Sequence, residues 1–424
     1  MDRLFGILGV VFILALAYLM SNNRKKINFK TVGIGFLLQI SLAVFIFKVP
    51  LGQKIFLGIG LLIQKILDFA VQGGQFVFGG LMDYKIFDVV FGSGHRIFAL
   101  QLVASCIFMM ILVNILYYYG IMQRIVLVLG KAMNKLMKVS GAEALCSVAN
   151  SFVGQIVAQI MIKPYLEALT RSELLACMAG SMACISGAMM PIYIGMGIPA
   201  QYILASSVMA APGVLVITKL MYPEDRTPET GENIKLSIEK KHVNLIDSIA
   251  SGASEGMQVA INVTAILIAL VALVAMIDYT LGYVGAFIYN TFHMQGAFLG
   301  LDLQHLSLKM ILGKFFAIFA YLMGVPNQDI TIVSQLMGTK VILNEMVAYV
   351  DLAAIKDTLT PKAFLIASFA LCSFGNVGSI ATQLGGIGEL APGQRKNLAE
   401  LGFKALIAGT LTCFMSATIA GILF

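Results

Sequence analysis

The chain has 424 residues, of which 59% are hydrophobic and 12% charged, with a net charge of +7 and a mean hydropathy of +0.89. A water-soluble protein carries about 25% charged residues, so a soluble enzyme, a disordered chain and a small disulfide-stapled domain are all excluded. The expected fold class is an all-α polytopic membrane protein, with room for about a dozen crossings of roughly 20 residues each.

The six cysteines, Cys106, Cys146, Cys177, Cys184, Cys372 and Cys413, stand singly in apolar stretches, without the CxxC pairs or Cys/His spacing of a metal site. They read as buried small residues. His95, His242, His293 and His305 share no helical face. The basic residues cluster between hydrophobic segments, where they orient a protein in a bilayer, and no nucleic-acid partner is expected.

In chain order, a first apolar stretch from Leu4 to Met20 is followed by Arg24, Lys25, Lys26 and Lys30 with no acidic residue among them. That loop is expected to be cytoplasmic and the N-terminus outside; basic residues that follow an apolar run do not make a cleaved signal peptide. A second span covers Val32 to Phe47. From Gln53 to Phe78 the residues Lys54, Gln64, Lys65 and Asp68 interrupt the apolar pattern, which predicts an interfacial amphipathic helix over about 53–78. A third span runs from Phe98 to Met122.

The pattern then changes. Between Gly130 and Thr170, polar and small residues break up a segment of hydrophobic length, as in Ser147-Val-Ala-Asn-Ser-Phe-Val-Gly-Gln155. Backbone freed from helix at membrane depth must line a cavity or be buried in protein, so this segment predicts a re-entrant helical hairpin. Cys184-Ile-Ser-Gly-Ala188, close to Pro191 and Pro199, predicts a broken helix, and Ile203 to Lys219 a full span. Pro223 to Lys241 reads as a cytoplasmic loop and Ala253 to Val284 as a long tilted helix. The second half repeats this plan, with a hairpin within Lys309 to Ala348, a helix broken at Phe374-Gly-Asn-Val-Gly-Ser379, and a last span from about Leu401 to Leu423. Gln155 lies 31 residues before Ser186, and Glu345 lies 31 before Asn376.

The expected organisation is therefore a scaffold over 1–125, a first repeat over 126–222, a loop over 223–247, a long helix and connection over 248–300, and a second repeat over 301–424. Paired interrupted segments in matching positions of two repeats point to the central site of a secondary transporter. A channel would need a continuous polar pore. An intramembrane enzyme would need a nucleophile and base or a metal cluster, and neither spacing occurs. ATP drive lacks a GxxxxGK[ST] loop.

Several motifs carry a resemblance: Leu116-Tyr-Tyr-Tyr-Gly-Ile-Met-Gln123, Asn150-Ser-Phe-Val-Gly-Gln155, Ala205-Ser-Ser-Val-Met-Ala-Ala-Pro212, Lys219-Leu-Met-Tyr-Pro-Glu224, Gly338-Thr-Lys-Val-Ile-Leu-Asn-Glu345 with Val347-Ala-Tyr349, and Phe374-Gly-Asn-Val-Gly-Ser379 running into Gly385-Gly-Ile-Gly388. In these the chain resembles the concentrative nucleoside transporter family. The resemblance implies cation-coupled uptake of nucleosides, driven by sodium or by protons, an assembly as a homotrimer in membrane lipid, and no cofactor. Bacterial members sit in the cytoplasmic membrane.

Carried over residue by residue, the family's site places Asn344, Glu345, Asn376 and Ser379 at the ribose and Phe374 against the base. A carboxylate accepting hydrogen bonds from a vicinal diol, helped by an amide and a hydroxyl, suits a sugar. An ion pair with Lys340 or another basic residue is the structural alternative for Glu345. At the first hairpin tip the family pattern is Gly-Gln-Thr-Glu or Gly-Gln-Ser-Glu, whereas this chain reads Gly154-Gln-Ile-Val157. Gln155 can still pair with a base edge, but Ile156 and Val157 offer neither the hydroxyl nor the carboxylate. Two readings stay open: a less polar or modified nucleoside as substrate, or restoration of the contacts by Gln159 or a water. The family's sodium site maps to Asn150, Val153, Cys184 and Ile185, where Cys184 puts a soft sulfur in place of a hard oxygen and Ser186 stands close enough in sequence to substitute. If protons drive transport, Glu345 is the leading carrier.

Overall fold

A computed structural model describes residues 2–82, 97–187, 189–230, 242–291 and 302–424, with side chains from residue 5 onward. Expectations for His95, Ala188, His293 and most of the loop before Lys241 lie outside these residues. Among the described residues the chain is helical throughout, with no strand, and six helices are long and apolar enough to cross a membrane.

The scaffold begins with α1 (Asp2–Leu19) and α2 (Phe29–Phe47). Asn28 starts α2 by accepting hydrogen bonds from the Lys30 and Thr31 amides, which have no partner inside the helix. Helix α3 (Pro50–Phe78) starts with proline in its first turn and runs unbroken for 29 residues, long enough by length and composition to be a span. The next helix, α4 (Phe98–Tyr118), ends earlier than the expected Met122, because Gly120 adopts φ +70° and turns the chain into a separate helix, α5 (Ile121–Met137).

The first hairpin follows as α6 (Gly141–Val153) and α7 (Gln155–Met161), with Gly154 at its turn. Gly154 has φ +95°, and a Cβ there would lie 2.6 Å from Ser186 Cβ, so both conformation and space require glycine. The broken helix is α8 (Arg171–Ala183) and α9 (Met190–Gly195), followed by the full helix α10 (Ala200–Met221). Capping boxes start α6 and α8: Glu143 Oε1 accepts from the Ser140 amide at 2.8 Å, and Glu173 Oε2 from the Thr170 amide at 2.8 Å. Lys219, on α10, ties the two starts together. Its Nζ lies 2.7 Å from Glu143 Oε2 and donates to Ser172 at 2.9 Å, while Thr170 donates to Glu224 at 2.8 Å. The motif from Lys219 to Glu224 is therefore an anchor for the base of the hairpin.

Helix α11 (Leu245–Thr291) has 47 residues, more than the expected Ala253 to Val284, and packs on α4 while leaving most of its apolar surface open. The second repeat comprises α12 (Leu308–Leu322), the hairpin α13 (Ile330–Ile342) and α14 (Glu345–Ile355), the broken helix α15 (Pro361–Leu371) and α16 (Val377–Leu390), and the full helix α17 (Arg395–Leu423). The segment expected to hold one hairpin is thus divided into α12 and a hairpin, because Gly324 at φ +81° and Pro326 stop the helix between them.

An offset of 190 residues superposes the two plans, carrying Gln155 onto Glu345 and Ser186 onto Asn376. Thr170 likewise maps onto Thr360, and each caps the first half of its broken helix. The core is built from the repeats: α17 packs on α8, α10 and α15, while α1 and α2 cover α17 and α10 from outside. The two breaks meet at its centre, where the Phe374 amide donates to the Cys184 carbonyl at 3.3 Å. These two residues are counterparts at the 190-residue offset.

Candidate functional site

Around that contact the structure gathers most of the expected substrate residues. Glu345 opens α14 at the second tip and is buried at 4% exposure. Its Oε1 accepts from the Tyr193 hydroxyl at 3.0 Å, and its Oε2 from Asn376 Nδ2 at 3.4 Å. Asn376 caps α16 by accepting from the Ser379 amide at 3.0 Å, leaving its NH2 group for Glu345. The Ser379 hydroxyl donates to the Phe374 carbonyl and lies 3.2 Å from Asn376 Oδ1. Asn344 caps α14 through the Val347 amide at 3.0 Å. The ion pair of Glu345 with Lys340 does not form: Lys340 Nζ is buried without a hydrogen-bond partner.

Gln155 belongs to a second cluster. Its Oε1 accepts from Gln383 Nε2 at 3.3 Å, Gln383 Oε1 accepts from Gln159 Nε2 at 2.8 Å, and the same Gln159 group reaches Ser181 Oγ at 2.7 Å. The Ser181 hydroxyl donates to Asn150 Oδ1 at 3.1 Å. A continuous polar relay thus joins the first tip to Asn150. The Gln159 amide nitrogen is taken up by this relay, while its Oε1 is buried without a partner. Those two residues are 44% and 36% exposed, and Ile156 lies against Gly386 of α16.

The cation candidates lie below the first tip. Besides Ser181, Asn150 meets Cys146, whose sulfur is 3.5 Å from Nδ2, and Ser151 Oγ is 3.5 Å from Cys184 Sγ. Val153 precedes Gly154 at the turn, and Ile185 follows Cys184 in the unwound segment. Ser186 sits against Gly154. Asn150 and the hydroxyls of Ser151 and Ser181, together with a buried Ser147 hydroxyl that has no partner, supply the hard oxygens that sodium takes. The Cys184 sulfur does not.

Sequence reasoning missed Tyr193, Gln383 and Ser181. The 190-residue offset is the signal that finds the first two: it carries Tyr193 onto Gln383, and it carries Gln159 onto Tyr349, which stacks on Tyr193 with ring centroids 4.5 Å apart. Each tip residue is therefore held by the other repeat, Glu345 by Tyr193 and Gln155 by Gln383.

Known proteins resemble the chain along nearly its whole length. Residues 8–81 match a sequence profile described as Na+ dependent nucleoside transporter N-terminus, residues 99–200 one for nucleoside recognition, and residues 202–421 one for Na+ dependent nucleoside transporter C-terminus. The chain is 40% identical to an uncharacterized transporter of Haemophilus influenzae, over all of this chain and 98% of that one. It is 36% identical to the nucleoside permease NupC of Helicobacter pylori, over 99% and 98% of the two lengths. The chain belongs to the concentrative nucleoside transporter family. Among solved structures, CNTnw in an inward-facing substrate-bound state superposes with a TM-score of 0.91 at 38% identity, covering all of this chain and 98% of that one. Like other concentrative nucleoside transporters, the protein is an all-α polytopic membrane transporter and not an enzyme.

Proposed function

We propose that the protein imports nucleosides across a bacterial cytoplasmic membrane by cation-coupled symport, with the second hairpin tip and second break holding the ribose. The observation that carries this reading is the Glu345 carboxylate, buried between Tyr193 and Asn376 at the junction of the two repeats. An ionisable group held this way at membrane depth is costly and marks a functional site. Vicinal hydroxyls of a ribose take the remaining acceptor sites of its two oxygens, alongside Tyr193 and Asn376, and Gln155 presents its amide to a base edge once Gln383 yields.

Sodium is the coupling ion of this reading, taken by Asn150 with the neighbouring hydroxyls and the carbonyls of Val153 and Ile185. The two repeats, inverted in the membrane, move as an elevator-like body against α1 to α4. The N-terminus faces outward, since Arg24, Lys25 and Lys26 follow the first helix. A homotrimer in lipid accounts for the exposed apolar length of α11.

A second reading, a less polar or modified nucleoside as substrate, is favoured by one feature: Ile156 and Val157 present open hydrocarbon immediately beside Gln155. A thermal-shift panel of nucleosides, nucleobases and modified nucleosides, each in sodium and in potassium, separates the two. A sodium-dependent rise in melting temperature with uridine or adenosine supports the first reading. A rise with less polar analogues alone supports the second, and no rise with any nucleoside contradicts both.

A further inference from the structure

Lys340 has no part in the site described so far. It lies on α13, four residues before Asn344 at the second tip, with 0% exposure, and is among the largest fully buried side chains. Its Nζ has no hydrogen-bond partner. The groups acting on it electrostatically are Cys413, Glu345 and Cys372, and it stands 5.7 Å from the centre of the Phe414 ring. Burying an ammonium without hydrogen bonds is costly, so its charge needs an account.

The repeat offset supplies one. The counterpart of Lys340 is Asn150, likewise buried and likewise four residues before its tip residue, Gly154. Asn150 is bordered by Cys146, Gly180 and the hydroxyl of Ser181. The residues 190 positions further on are Leu336, Ala370 and Leu371, all apolar. The first repeat therefore offers oxygen to an ion beneath its tip. The second has hydrocarbon there instead, and the amine at the matching place, that of Lys340, is part of the chain.

We propose that Lys340 is the built-in cation of the second repeat, standing where a free coupling ion would stand in the first, and that it is a positioning residue for Glu345. Its fixed charge offsets that of the carboxylate, so Glu345 stays available as an acceptor for ribose hydroxyls without a second ion. This inference rests on the reading of Glu345 as the ribose grip.

The test compares equilibrium binding of uridine and of 2′,3′-dideoxyuridine, in sodium, to the full-length wild type, K340M and K340R. In K340M uridine affinity falls roughly tenfold or more, as befits hydrogen bonds to a charged acceptor. Binding of the dideoxy analogue changes by less than about twofold, since it lacks the hydroxyls that Glu345 receives. K340R, which keeps the charge but not the shape, retains the wild-type preference for uridine. Equal loss of both ligands in K340M, unchanged uridine binding in K340M, or a lost preference in K340R each overturns the role of Lys340. A wild type that does not distinguish the two ligands contradicts instead the reading of Glu345 as the ribose grip.

Discussion

The Tyr193 hydroxyl donates to Glu345 Oε1 at 3.0 Å across 152 residues of chain, and its repeat counterpart Gln383 donates to Gln155 Oε1 at 3.3 Å. Each repeat thus fixes the hairpin tip of the other. A tip held this way is pre-oriented for ligand yet released by breaking one hydrogen bond, which suits a site that must open.

Removing the Tyr193 hydroxyl leaves the Glu345 carboxylate one donor short. Tyr193→Phe is expected to lower uridine affinity about three- to tenfold, equivalent to ~0.5–1.5 kcal/mol. Glu345→Gln removes the charge itself and costs more, on the order of tenfold to a hundredfold. Calorimetric titration checks both, and equal effects of the two variants would contradict the assigned roles.

The glutamine relay makes a different prediction. Gln383→Leu leaves Gln159 Nε2 with Ser181 alone and one N–H unpaired, beside an Oε1 that already has no partner, and frees Gln155. A buried polar group left unsatisfied costs roughly 1–3 kcal/mol, so the apo protein should melt several degrees lower. Gln383→Glu, which keeps the acceptor for Gln159, should melt closer to wild type.

Lys219 is expected to act on stability and not on specificity. Lys219→Met leaves Glu143, on a 1%-exposed side chain, without its cation. Breaking a buried pair by removing one partner costs about 3–5 kcal/mol. Thermal unfolding should show that loss, while any variant that folds keeps its ranking of nucleosides.

At the cation site, Cys184→Ser replaces a soft sulfur by a hard oxygen within reach of Ser151. The sodium concentration that half-saturates nucleoside binding is expected to fall severalfold. An unchanged sodium requirement would place the ion elsewhere.

Much of this architecture is legible in the sequence because its elements have local causes. Gly154 marks the first tip, Ser140 and Thr170 with glutamates three residues on mark helix starts, and Pro361 marks another. The breaks at Cys184 and Phe374 show as glycine and polar residues within apolar runs. The division of α12 from the second hairpin was less legible, since Gly324 and Pro326 also fit the irregular backbone of a re-entrant tip. The site was legible only where a motif names it. Tyr193 and Gln383 have no local signal, because an apolar tyrosine and an isolated glutamine acquire meaning only when the opposite repeat comes within 3.3 Å. Lys340 is visible in the sequence, and proximity in sequence is all that offers the alternative of an ion pair with Glu345. In the helical hairpin the two lie on opposite sides of the turn at Leu343 and Asn344, and Glu345 takes its donors from Tyr193 and Asn376.

Uptake of labelled uridine into proteoliposomes, with sodium outside and potassium inside, tests the central claim most directly. The account predicts accumulation above the outside concentration, lost when sodium is equal on both sides and abolished in Glu345→Gln. Uptake that ignores the sodium gradient and persists in Glu345→Gln would contradict both the coupling and the site.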